Sequence, residues 1–113
     1  MKKRPKIICL CGSSRFCSEI AIKKWELEKQ GIIAIGLHLL PSNYSLAQEH
    51  HQAEFENVKE ILDELHFRKI DLSNEVFIMN IDGYIGEQTR KEIEYSEKLG
   101  KPIKYLEVIK VKE

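Results

Sequence analysis

Four short apolar runs punctuate the chain, and helical periodicity fills the segments between them. The first run, Lys6-Ile7-Ile8-Cys9-Leu10-Cys11, is continuous rather than alternating, the pattern of a strand buried on both faces of a parallel sheet. Gly12-Ser13-Ser14-Arg15 breaks it. From Ser18 onward, Ile20, Ala21, Trp25 and Leu27 or Glu28 recur at helical spacing, with Lys23, Lys24, Glu26 and Lys29 on the outward side and Gly31 closing the helix as a C-cap residue does. Ile32-Ile33-Ala34-Ile35-Gly36-Leu37 reads as a second buried strand. Strand, helix and strand within about 30 residues make a βαβ unit with a right-handed crossover.

Pro41-Ser42-Asn43-Tyr44-Ser45 has loop chemistry, and Phe55, Val58, Ile61, Leu62 and Leu65 then mark a helix that runs on through Phe67 and Ile70. Asp71-Leu72-Ser73-Asn74 reads as the turn into a third strand, Glu75 to Asn80. A third helix starts near Glu87 and ends at Leu99-Gly100-Lys101-Pro102, after which Ile103-Lys104-Tyr105-Leu106 forms a fourth strand that Val108, Ile109 and Val111 extend. With no internal repeat, low-complexity segment or linker, one domain spanning residues 1–113 is expected. Its architecture is an α/β three-layer sandwich of the small flavodoxin or Rossmann kind, with a four- to five-stranded parallel sheet and helices on both faces.

Charge narrows the possible partners. Lys plus Arg and Asp plus Glu both number 18, so the formal net charge is zero and no field favours a polymeric nucleic acid. The basic start Met1 to Lys6 leads into no signal-like apolar segment, and no run approaches transmembrane length, so neither membrane association nor export is expected. Three clustered cysteines, Cys9, Cys11 and Cys17, suit reduced thiols and a cytoplasmic location better than a disulfide framework. Cys9 and Cys11 share one face of their strand, but no second Cys/His pair at zinc-finger spacing follows, and core packing is the expected role. His50 and His51 beside Glu54 lack the i, i+4 pairing of helical zinc sites. Neither a metal nor another cofactor is expected.

Ligands of open parallel sheets bind beyond the carboxyl ends of the strands. Three stretches meet there: Gly12-Ser13-Ser14-Arg15, Leu37-His38, and Asp82 through Glu92. The first combines backbone N–H groups near a helix start, two hydroxyls and a guanidinium, which either grip a phosphate or carboxylate or merely cap the helix. The dinucleotide and P-loop fingerprints are both absent. His38 is either a strand-end residue or the lining of a base pocket. In the third stretch Gly83 and Gly86 admit backbone shapes closed to other residues, and the first helical N–H groups face whatever lies beyond the strand. At about 100° per residue, Thr89, Glu92, Ile93, Ser96 and Leu99 share one arc while Arg90, Lys91, Glu94 and Lys98 point away. Glu92 is therefore turned inward, as a boundary residue whose head reaches water or as an acid held for chemistry.

Val76-Phe77-Ile78-Met79-Asn80, Gly83-Tyr84-Ile85-Gly86, Thr89-Arg90-Lys91-Glu92-Ile93-Glu94-Tyr95-Ser96 and Gly100-Lys101-Pro102-Ile103, in that order, resemble the nucleoside 2-deoxyribosyltransferase family. Cys11-Gly12-Ser13-Ser14-Arg15 is similar to the phosphate-binding loop of the branch that hydrolyses 2'-deoxynucleoside 5'-monophosphates. The resemblance implies cleavage or transfer at an N-glycosidic bond, with Glu92 in the place of the nucleophile and Asp71, Asp82 or His38 protonating the departing base. It implies substrate contacts from Gly12, Ser13, Ser14, Arg15, His38, Gly83, Gly86 and Thr89. Cys9 stands where relatives usually place a tyrosine that holds the nucleophile, and Asn74 where an aspartate often precedes the third strand. A small-molecule nucleoside or nucleotide is the expected partner, together with a second copy of the chain in a homodimer or larger closed assembly. Two other functions share these features: a phosphoribohydrolase of the cytokinin-activating kind, whose Gly-x-x-Thr-x-x-Glu helix start Gly86, Thr89 and Glu92 match, and a catalytically silent nucleotide-binding module.

Overall fold

The four apolar runs lie side by side. A computed structural model describes residues 4–40 and 52–108 and contains β1 (Ile7–Cys11), β2 (Ile33–Gly36), β3 (Glu75–Ile78) and β4 (Ile103–Tyr105). They form an all-parallel sheet in the order β2-β1-β3-β4. The helices are α1 (Cys17–Lys29), the short α2 (Gln52–Phe55), α3 (Lys59–Leu72) and α4 (Glu87–Lys98). This is the expected α/β sandwich of Rossmann or flavodoxin kind.

β1 is interior to the sheet, and its alternate side chains feed two cores. Ile8 and Leu10 pack with Ile20 and Leu27 of α1, Ala34 and Met79. Cys9 and Cys11 point the other way, into a cluster with Ile70, Val76 and Ile78, flanked by Phe67 of α3 and Ile93 and Tyr95 of α4. So α1 covers one face, and α3 with α4 cover the other.

Several expectations from periodicity need correction. Ala21 and Trp25 are exposed, and α1 turns Ile20 and Leu27 inward instead. Lys23 belongs to that inner side because its stem lies along the sheet and its ammonium sits 4.5 Å from the centre of the Phe77 ring. The segment from Phe55 to Ile70 is not continuous: Asn57, at φ 61°, separates α2 from α3. Phe55, Ile61 and Leu65 are exposed, whereas His66 and Ile70 are buried and Leu62 and Phe67 half-buried. Asp71 and Leu72 complete α3 rather than forming a turn, Leu99 is exposed as the C-cap of α4, and β4 stops at Tyr105. The loop at Pro41 to Ser45, His50, His51, Ile109 and Val111 lie outside the described residues.

The amino edge of the sheet is fastened by polar contacts. Asn74 accepts from the backbone N–H of Ile7 through Oδ1 at 2.8 Å and donates its own N–H to the Ile7 carbonyl at 2.7 Å. Glu75, 5% exposed, is bracketed by Lys6 at 3.1 Å and Lys104 at 3.0 Å. Burial raises the Glu75 carboxyl pKa, but the two ammonium groups outweigh it and hold the group below its ordinary value of 4.5. The stabilisation is therefore complete above that value and lost as pH falls through the lower folded-state value. Urea unfolding as a function of pH should show this acid-side loss, and Glu75→Gln should flatten it; an unchanged slope would remove Glu75 as its source.

Candidate functional site

β1 and β3 are neighbours whose chains depart to opposite sides, β1 toward β2 and β3 toward β4. Such a reversal opens a crevice beyond the carboxyl ends of the strands. A cavity of about 250 Å³ lies there. Its walls are the Gly12 to Arg15 segment, Leu37 and His38 after β2, the inner side of α3, and the first turns of α4.

Gly12 brings the loop after β1 close against the exit of β3. A Cβ there would stand 3.1 Å from Cβ of Met79 and 3.2 Å from its carbonyl oxygen. The Ser13 hydroxyl accepts from the Arg15 N–H at 3.3 Å, capping a single 3-10 turn over Ser14–Phe16. The exposed Arg15 guanidinium lies 4.5 Å from the centre of the Tyr84 ring, so this loop and the one before α4 meet at the pocket rim. On the other wall Gly86 is the N-cap of α4 and supplies no side-chain cap, leaving first-turn N–H groups at the cavity edge. Thr89 and Glu92 follow one and two turns on, both buried.

Glu92 is 5% exposed and forms part of the cavity wall. Its Oε2 accepts from Gln88 Nε2 at 3.4 Å, and its Oε1 lies 3.4 Å from Nε2 of His66. Burial pushes the carboxyl up to about 7, since the opposing pull of a charged His66 and the Gln88 amide is smaller. His66 is also buried, and the same Nε2 lies 3.1 Å from Sγ of Cys11 and 3.7 Å from Sγ of Cys9. Hydrogen bonding from Cys11 lowers the Cys9 thiol to about 6, against the effect of burial, and pushes Cys11 upward in turn. Burial favours neutral His66, but its contact with Cys9 and the Glu92 charge outweigh that and raise its pKa. His38 lines the cavity and is lowered by burial and by the nearby Lys69.

The fold thus gathers Gly12, Ser13, Ser14, Arg15, His38, Gly86, Thr89 and Glu92 around one cavity. Asp71, Asp82 and Gly83 are not among the lining residues. Asp71 sits in the last turn of α3, at the amino edge of the sheet, where it accepts from Tyr95 Oη at 2.6 Å and pairs with Arg68 at 3.0 Å. Asp82 and Gly83 belong to an exposed turn after β3, with φ of 54° and 78°, and the Asp82 N–H donates to Glu107 at 2.6 Å. The sequence pattern does not point to His66, Gln88 or Lys69 as site residues. The available signal was the placement of His66 four residues from both Leu62 and Ile70, on the inner stripe of its helix. No family model, no curated protein and no solved structure matches the chain.

Proposed function

We propose that the protein cleaves or transfers at the N-glycosidic bond of a (deoxy)nucleoside or nucleoside 5'-monophosphate, with Glu92 as the nucleophile. The observation that supports this most directly is a buried carboxylate in the wall of a cavity that also carries an anion-suited loop and an uncapped helix start. A cavity of about 250 Å³ suits one small molecule rather than a dinucleotide. Glu92 attacks the anomeric carbon, the bond electrons depart with the base nitrogen, and the base takes up a proton. Water or a second base then resolves the glycosyl ester on Glu92. Of the three expected proton donors, only His38 borders the cavity. The Gly12 to Arg15 loop takes the 5'-phosphate.

The second enzyme reading, a phosphoribohydrolase, draws on the same helix start, because Gly86, Thr89 and Glu92 stand together at the cavity. A panel of nucleosides, deoxynucleotides and ribonucleotides assayed for free base separates the two by sugar. Binding without base release would identify the silent module. A homodimer completes the proposal: Ile61, Leu65 and Leu72 form an exposed apolar stripe on α3, which a second copy would cover.

Glu92→Gln should keep the fold and reduce base release below a few per cent, because the amide preserves volume but cannot act as the nucleophile. Higher residual turnover would remove Glu92 from that role. Arg15→Ala should weaken a nucleoside monophosphate by roughly 1.5–3 kcal/mol, about tenfold to a hundredfold, and leave the matching nucleoside nearly unchanged in calorimetric titration. An equal loss for both ligands would make the loop a helix cap only. Light scattering at micromolar concentration should show a dimer that Leu65→Glu converts to monomer; a wild-type monomer would refute the assembly.

A further inference from the structure

We propose that Cys9, Cys11 and His66 form a three-donor site for a thiophilic divalent cation of the zinc class, buried between β1 and α3 with Glu92 of α4 beside it. Sequence spacing predicts no metal here, because the two cysteines have no second pair near them in the chain. The fold supplies a third donor, His66, from α3. Around Nε2 of His66 stand Sγ of Cys11 at 3.1 Å, Sγ of Cys9 at 3.7 Å and Oε1 of Glu92 at 3.4 Å. The two sulfurs and the ring nitrogen all lie within 4.8 Å of one another.

Tetrahedral zinc, with bonds of about 2.3 Å to sulfur and about 2.0–2.2 Å to nitrogen and oxygen, requires donor atoms roughly 3.3–3.8 Å apart. The three separations from the ring nitrogen fall near that range. The two cysteines and the histidine supply three of the four positions of such a site, and Oε1 of Glu92 stands beside them, 3.4 Å from the ring nitrogen. Two thiolates with an imidazole select zinc-class ions over magnesium or calcium, whose preferred donors are oxygens.

An ion has a route in, since His66 and Glu92 border the cavity and the cysteines lie behind them. Binding through Nε2 places the ring hydrogen on Nδ1, which has no hydrogen-bond partner among the described residues with or without the ion. Each thiol releases its proton to solvent on binding. Metal binding does not depend on the glycosidic reading. A bound ion does, however, sit beside the carboxylate that Glu92 would use as a nucleophile.

The test is titration of the reduced, metal-free protein with Co2+, followed by displacement with Zn2+. One equivalent of cobalt should produce a thiolate charge-transfer band and the intense visible bands of a tetrahedral site, and zinc should abolish both with a Kd tighter than about 1 µM. Cys11→Ser and His66→Ala should lose the tetrahedral spectrum, while Cys17→Ser keeps it. Glu92→Gln should retain the charge-transfer band, which arises from the cysteines. Absence of that band in the wild type, or its survival in Cys11→Ser, would overturn the proposal; the wild-type result stands even where a variant fails to fold. The spectra require no substrate and no turnover, so their failure is distinct from failure to release a base.

Discussion

A strand buried on both faces must hand successive side chains to opposite layers, and β1 imposes that constraint on the rest of the molecule. Ile8 and Leu10 go to the α1 layer, while Cys9 and Cys11 go to the layer of α3 and α4. A shift of one residue would exchange the two sets and place leucine against His66. The pairings of Cys9 with Ile35 on one side and Val76 on the other fix the register. The meeting of His66 and Glu92 beside two thiols therefore follows from strand alternation combined with the inward phases of two helices.

The two edges of the sheet divide the work. At the amino edge Asn74 stitches β3 to β1, Lys101 donates to the Ser73 carbonyl at 2.6 Å, and two lysines bracket Glu75. Asp71, attractive in the sequence as an acid, belongs to this structural edge and is engaged by Tyr95 and Arg68. At the carboxyl edge the chain supplies loops and helix starts. There Gly12 passes tightly beneath Met79, and a reciprocal pair of 2.9 Å hydrogen bonds between Asn80 and the Glu107 backbone secures the exit of β3. Rigid support at one edge leaves the other free to form a cavity.

The strands were legible because three unbroken apolar runs, and a fourth broken only by Lys104, leave little alternative in a chain this polar, and the inward turn of Glu92 was legible because α4 separates its charged and small residues cleanly. The phase of α1 was not. Its inner side includes Lys23, whose aliphatic stem packs while its ammonium rests on Phe77, and a pattern of apolar letters cannot register that. The apolar positions Phe55, Ile61 and Leu65 misled for the opposite reason, being large, hydrophobic and exposed. The cysteine, histidine and glutamate cluster was invisible because its members lie 55 residues or more apart in two of the contacts that define it, and linear spacing carries no information about such pairs.

Burial decides the character of that cluster. Leaving a buried polar group without a partner costs about 1–3 kcal/mol, and a domain of this size has only about 5–15 kcal/mol of net stability. Two thiols, an imidazole and a carboxyl enclosed together cannot each be ionised, and their opposed shifts, Cys9 down to about 6 and Glu92 up to about 7, describe groups competing for few protons. A hydrophobic replacement of the same volume would relieve the competition at no loss of packing. The cluster also lies directly behind the cavity wall, where His66 and Glu92 touch both regions. Its energetic cost therefore falls on the residues that face the cavity.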